Sequence, residues 1–408
     1  MLTAAGCGNG GSSSAGAGAG TDLDLSNWDA VVQAARGTKV SFAGFGGMDT
    51  FNTYMQDTAI PYIKQQYDID LEWAQFEVES DIVALVNNEK SGGKNPGEGT
   101  HDLIWITLDE SAIMQGMGSM YEDIRSYIPN VSYIDPQSPG LVGVGDTKIN
   151  VATVPWGPLT TVYPYNASKV SWTPKNAKEY LEWVKEYEGK MTFPIASEYG
   201  WSVWWPLLLD ILGEDWWQGF NSNSSYEEVK TAMEPGLEYL REVNPYLWNK
   251  GKSYPSYDQL YEFFPSGEIW TMFMDTPYVL DTYVNQKVMP ETSQEFIFED
   301  IGLFNWWGHQ IAIPYDCPNI AGAMVAMNAL LEPEQIYAEM QETGYEASLD
   351  YSRLNDDQKK IADAVKFSDR CLSKEQLDKY PRYDPPASGV MDIVCEIWDN
   401  EVAGKYNS

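Results

Sequence analysis

The chain has 408 residues, of which 60 are acidic and 26 basic, for a formal net charge of −34. So negative a surface repels nucleic-acid phosphates and anionic headgroups, which excludes nucleic-acid binding as a function. With 43% hydrophobic residues the chain can build two or three compact lobes, and its 16 Trp and 26 Tyr supply flat faces that suit sugars, cations and heterocycles as well as cores.

The four cysteines, Cys7, Cys317, Cys371 and Cys395, form no CxxC pair. Only His101 and His309 could join them, so no structural zinc site is expected, and no metal or cofactor. Outside the cell Cys371 and Cys395 could pair and leave Cys317 free, a choice the spacing leaves open. No apolar run reaches the roughly 18 residues a membrane-spanning helix needs. The longest, Trp204 to Leu212, is interrupted by Pro206 and Asp210.

In chain order, Ala4-Ala-Gly-Cys7 and the Gly/Ser-rich stretch to Gly20 resemble the end of a bacterial lipoprotein signal, with Cys7 as the lipidated residue and 1–26 as remnant and tether. Asn27 to Arg36 is read as an amphipathic helix and Thr38 to Ala43 as a buried strand that ends in the turn Gly44-Phe45-Gly46-Gly47. Asp49 to Tyr67 has helical spacing, kinked at Pro61. Ile69 to Trp73 is a second strand, Asp81 to Lys90 a helix, and His101 to Ile106 a third strand after a Gly/Pro loop. This order implies an α/β lobe with parallel strands, and ligands in such sheets sit at the carboxyl ends of strands. Those ends are Phe45 to Gly47 and Trp105 to Thr107.

Asn150 to Tyr165, β-rich and broken by Pro155 and Pro158, suits a strand crossing between lobes. A helix from Thr173 to Tyr187, started by Pro174, and a strand from Lys190 to Phe193 are expected next. Helices follow at Tyr226 to Val243 and Ser256 to Phe264, then a strand from Glu268 to Asp275. Phe296 to Pro314 reads as a strand pair, Asn319 to Leu330 as a helix, and Leu354 to Tyr383 as mainly helical.

Four passages carry a family likeness. They are His101-Asp-Leu-Ile-Trp-Ile-Thr107; Val154-Pro-Trp-Gly157 with Val162 to Val170; Asn244 to Gly251 with Phe264 to Glu268 and Thr271 to Asp275; and Ile311-Ala-Ile-Pro-Tyr315 with Asn319 to Glu334. Together they resemble the extracellular solute-binding proteins of ABC importers, near the thiamine and polyamine binders. The likeness implies the two-lobed periplasmic-binding type II fold, an α/β architecture of mixed sheets flanked by helices and hinged by crossing strands. It implies a first lobe of 27–152 plus about 303–345, and a second of 153–302 plus about 346–408. It also implies a non-enzymatic capture protein, monomeric, lipid-anchored on the outer face of the cell membrane. Its partners would be a small solute and the permease and ATPase subunits of an importer. Relatives carry Asn where this chain has Thr107, and an Asn-Pro pair where it has Asp275-Thr-Pro277, so the solute need not be shared.

A capture cleft needs aromatic walls and a few polar groups. The candidates are Phe45, Trp105, Thr107, Trp156, Trp201, Trp204, Trp205, Asp275, Tyr278, Asn305, Trp306, Trp307 and His309. Trp156 and Asp275 follow crossing strands and should point into the cleft, whereas at most one of the adjacent Trp204 and Trp205 can touch a ligand. Aromatic walls with one carboxylate, Asp275, favour a cationic or heterocyclic amine. A sugar stacked on Trp platforms is the alternative, followed by a surface adhesion protein or a glycoside-active enzyme. The chain lacks a nucleophile elbow, a zinc-protease helix and a phosphate loop.

Overall fold

The computed structural model describes residues 23–77, 79–143, 148–305, 308–386 and 388–404. The lipidation candidate Cys7 and the site candidates Trp306 and Trp307 lie outside the described residues.

β1 (Lys39–Phe45), β2 (Asp70–Phe76), β3 (Leu103–Thr107), β4 (Thr153–Pro155) and β8 (His309–Ala312) form one sheet in the order β2-β1-β3-β8-β4. β1 is parallel to β2 and β3, and β8 is antiparallel to β3 and β4. The sheet is mixed because β8 arrives from the far half of the chain. Its central strand β3 is apolar on both faces, as a sheet covered on both sides requires, whereas the edge strand β2 exposes Asp70 and Glu72. In β3, Leu103 and Trp105 face one core while Ile104 and Ile106 face the other. Two small sheets stand apart: β5 (Tyr163–Asn166) with β6 (Ser293–Phe296), antiparallel, and β7 (Leu303–Phe304) with β9 (Arg382–Tyr383), parallel.

The buried side chains separate into two bodies. The first lies on both faces of the large sheet and draws on Val31 to Leu159 and Ile311 to Leu354. The second draws on Val162 to Phe304 and Cys371 to Ala403, around the helices Trp201–Leu212 and Tyr226–Val243. Val154, Trp156 and Leu159 belong to the first core. The chain therefore changes core at three places: between Leu159 and Val162, between Phe304 and Ile311, and between Leu354 and Cys371. At the first of these Gly157 has φ +80, and a Cβ there would fall 2.9 Å from the Tyr345 ring, so glycine serves both the backbone and the packing.

Several expected elements differ. The kink at Pro61 is realised as a π-helical turn, Met55–Ala59, inside a helix running from Asp49 to Tyr67. The wider turn makes room for a ring that would otherwise press on the preceding turn. The helix expected from Thr173 begins at Ala177, where Asn176 accepts the Glu179 N–H at 2.9 Å; the cap, not Pro174, sets the start. Lys190 to Phe193 forms no ladder, and Glu268 to Asp275 makes only the isolated bridges Val162↔Met274 and Tyr165↔Thr271. Pro164 and Pro194 lack the N–H that a continuous ladder would use. The tail is helical at Asp356–Ala364 and Lys374–Leu377 but irregular between. Cys317, Cys371 and Cys395 are buried and unbonded, so Cys371 and Cys395 do not pair.

Candidate functional site

The seam between the two cores is floored by the first two crossings. His309 N donates to the Gly157 carbonyl at 3.1 Å, Trp156 N to that of His309 at 2.9 Å, and Thr160 N to that of Asp275 at 2.7 Å. These bonds bring β3's end, β4's end, β8's start and Asp275 to one place, so backbone pairing between distant segments builds the floor.

On the second-lobe wall Asp275 is half-buried among tyrosines. The helix Tyr257–Ser266, capped by Ser256 and Gln259, places Tyr257 and Tyr261 four residues apart on one face, with their hydroxyls 2.9 Å apart. Tyr261 meets Tyr283 edge-on at 5.7 Å, and Tyr257 meets Tyr199 edge-on at 5.5 Å. Burial first, and then the Asp275 charge, hold the phenols of Tyr257 and Tyr261 well above their usual range. The Tyr283 hydroxyl is pushed up to about 12 by burial, by Asp275 and by Asp49. Asp49 starts the helix whose Phe51 and Tyr54 pack in the first core, so carboxylates from both lobes act on one phenol. Tyr199 is 41% exposed and takes a left-handed backbone, φ +70, a strained conformation for an aromatic residue. The next residue, Gly200, admits no side chain: a Cβ would fall 2.2 Å from the Pro194 carbonyl oxygen.

The sequence-derived candidates scatter. Trp105 and Trp156 have zero exposure inside the first core, where Trp105 stacks on Phe51 at 4.3 Å and Trp156 meets Phe51 edge-on at 5.0 Å. Trp204 and Trp205 are equally buried in the second core, against Trp398 and Trp216. In this conformation none of the four offers a solute any surface. Thr107 caps the helix Leu108–Gly116 in a reciprocal box with Glu110. His309 lies 4.6 Å from the Trp105 ring, and Phe45 is half-buried against the first core. Trp201 is buried beside Phe304 at 5.5 Å. Tyr278 stacks on Phe367 at 4.4 Å and lines a separate groove of about 880 Å³ beside the third crossing. Asn305 is engaged by Thr160, Arg382 and Asp384.

Of the candidates, Asp275 alone stands within a cluster suited to a charged solute. Asp49, Tyr199, Tyr257, Tyr261 and Tyr283 were missed by sequence reasoning. The readable signal for this face is the i, i+4 pair of tyrosines behind the Ser256–Gln259 capping box. Among the described residues no group of three or more His, Cys, Asp or Glu side chains could hold a metal ion.

Two lobes joined by crossing strands over a shared floor define the class of solute-capturing binding proteins with the periplasmic-binding type II fold. Residues 58–367 match the family described as bacterial extracellular solute-binding protein, and the chain belongs to that family. It is 24% identical over 310 residues to the protein YnjB of Escherichia coli strain K12, covering 76% of this chain and 78% of that one. Among solved structures it is similar to the spermidine/putrescine ABC transporter substrate-binding protein PotD from Streptococcus pneumoniae (TM-score 0.61, 15% identity, 91% of this chain and 100% of that one). It is likewise similar to the cyclic α-maltosyl-1,6-maltose binding protein from Arthrobacter globiformis (TM-score 0.60, 13% identity, 90% and 99%). At such identities these structures share the fold. The chain is thus an extracytoplasmic substrate-binding protein of the ABC importer type, and among the described residues no helix is long and apolar enough to cross a membrane.

Proposed function

We propose that this protein captures a small cationic or heterocyclic amine, of the polyamine or thiamine kind, in the seam between its lobes and delivers it to a membrane permease and its ATPase. The observation that carries this reading is the tyrosine cluster of Tyr257, Tyr261 and Tyr283, on whose Tyr283 hydroxyl the charges of Asp275 and Asp49, from opposite lobes, both act. A cation there would be drawn to both carboxylates, and the phenol rings would offer cation–π faces, each contributing about 0.5–2 kcal/mol. PotD, which shares the fold, is named for spermidine and putrescine, in keeping with this class. The maltosyl-maltose binder keeps a sugar as the second reading, favoured by the abundance of aromatic rings.

Calorimetric titration with spermidine, putrescine, thiamine and maltose tests the choice. An amine should bind the wild type at least tenfold more tightly than Asp275→Asn, since a buried charge-assisted bond is worth at least 1.4 kcal/mol. Equal affinity in the two proteins would remove Asp275 from the site, and binding of maltose alone would favour the sugar.

The reading extends to the whole chain. We place the first lobe at 27–159 plus 309–365 and the second at 162–304 plus 371–404, with the short intervening segments as hinges. Cys7 carries the lipid that tethers a monomer to the outer face of the cell membrane. Replacing Cys7 with Ser should move the protein from the membrane fraction to the medium or periplasm, and retention at the membrane would argue against the anchor.

A further inference from the structure

Two of the three segments that join the lobes, and the first lobe itself, meet at one side chain of the second lobe. β9 lies parallel to β7 with Arg382 opposite Leu303, which sets the guanidinium beside the second crossing. Arg382 Nη1 donates to the Thr160 hydroxyl at 2.9 Å, on the first crossing, and approaches Asn305 Oδ1 at 3.4 Å, on the second. Arg382 Nη2 donates to Glu346 Oε1 at 3.3 Å, in the first lobe between the core residues Tyr345 and Leu349. The Thr160 hydroxyl in turn donates to Glu346 Oε2, and Asn305 Nδ2 donates to Asp384 Oδ1 at 3.2 Å. Glu346 is largely withdrawn from water, with a side-chain exposure of 13%, while Arg382 keeps 34% of its side chain exposed.

We propose that Arg382 is a hinge clamp, a positioning residue that fixes the angle between the lobes by holding Thr160, Asn305 and Glu346 together. Arg382 belongs to the second lobe and Glu346 to the first, so rotating one lobe against the other must lengthen or exchange the bonds that Arg382 makes to Glu346 and to the two crossings. Arg suits the task because its planar fork reaches several acceptors at once, which a lysine ammonium on a flexible stem does not. Removing it leaves the Glu346 carboxylate, poorly exposed, with Thr160 as its remaining donor in the network, and that cost falls on the arrangement seen here rather than on one in which Glu346 reaches water. Arg382 stands outside the Asp275 cluster. Its effect on solute affinity would come through the fraction of molecules in the capture-competent arrangement. That purpose rests on the capture reading, while the clamp itself does not.

Distance distributions between spin labels at Gln66→Cys and Asn223→Cys, both exposed, one on each lobe, test the clamp in a Cys7→Ser background without any solute. The native cysteines of both lobes are buried. Arg382→Ala and the near-isosteric Glu346→Gln should each shift and broaden the interlobe distribution. The double variant should go no further than the larger single effect, and Arg382→Lys should fall between wild type and Arg382→Ala. Lys360→Ala, in an exposed ion pair with Asp357, should leave the distribution unchanged. Hydrogen exchange within each lobe should stay at its wild-type level in all of them. A wild-type distribution in both Arg382→Ala and Glu346→Gln would overturn the proposal, as would single effects that sum fully in the double variant. A shifted distribution combined with amine affinity indifferent to Asp275→Asn would keep the clamp and discard the solute assignment.

Discussion

At the end of β3 the Thr107 N–H donates to the Glu110 carboxylate at 2.9 Å, while the Thr107 hydroxyl accepts the Glu110 N–H at 3.2 Å. A side chain at a strand's carboxyl end reads as a ligand contact, yet here it is spent on one of the otherwise orphaned helix N–H groups, that of Glu110. Thr107→Ala is therefore expected to lower unfolding free energy by about 1 kcal/mol in urea melts, with solute affinity changed far less than in Asp275→Asn. The tryptophans behave alike. Trp105→Ala or Trp204→Ala should cost about 3–5 kcal/mol of stability, because each empties a fully packed site, and a loss below about 1 kcal/mol would show that the ring is not part of a rigid core. Sequence reading singled out Asp275, whose charge reaches Tyr257, Tyr261 and Tyr283, because a carboxylate after an apolar run is conspicuous. It overvalued Trp105, Trp156, Trp204 and Trp205 because an indole is equally at home in a core and on a platform, and only tertiary packing separates the two.

Among the elements, those with strong periodicity were legible: the strands at 39–45 and 103–107 and the helix 226–243 carry their pattern within themselves. The segment 268–275 looks alike in sequence but gains no ladder, since its partner contains Pro164, a constraint invisible from its own residues. The short β7 and β9 were unreadable because two-residue strands have no period. One loop element has a pH dependence built in. Asp316, with zero exposure, sits beside Glu89, and burial followed by the Glu89 charge pushes its carboxyl from the usual 3.8 up to about 6. Glu89 is already held by Lys94 at 2.5 Å, and Gly99 N donates to the Asp316 carbonyl at 2.7 Å, so the 94–100 loop is fastened over the pair. The native state keeps a proton that the unfolded chain has released by about pH 4. Its stabilising contribution is complete below that pH and is lost as pH rises through about 6. Urea midpoints should accordingly show a fall between pH 4 and 6 that flattens in Asp316→Asn. An identical pH slope in the two proteins would contradict the assignment.

The molecule as a whole consists of two bodies that share three connections and little core, an arrangement in which relative motion is the ordinary expectation. The proposed preference for a cation rests on the charges of Asp49 and Asp275, from opposite lobes, which both act on the Tyr283 hydroxyl; no linear pattern announces this, because residue 49 lies far from 275 and 283 in the chain. If capture works by closure, the solute must bind the closed form more tightly than the open one, and saturation must then shift the population. Small-angle scattering of the wild type, with and without saturating amounts of whichever amine titrates calorimetrically, measures that shift. A smaller radius of gyration at saturation, absent when the same amine is added to Asp275→Asn, is the expected result. An unchanged radius at full occupancy would contradict capture by two closing lobes.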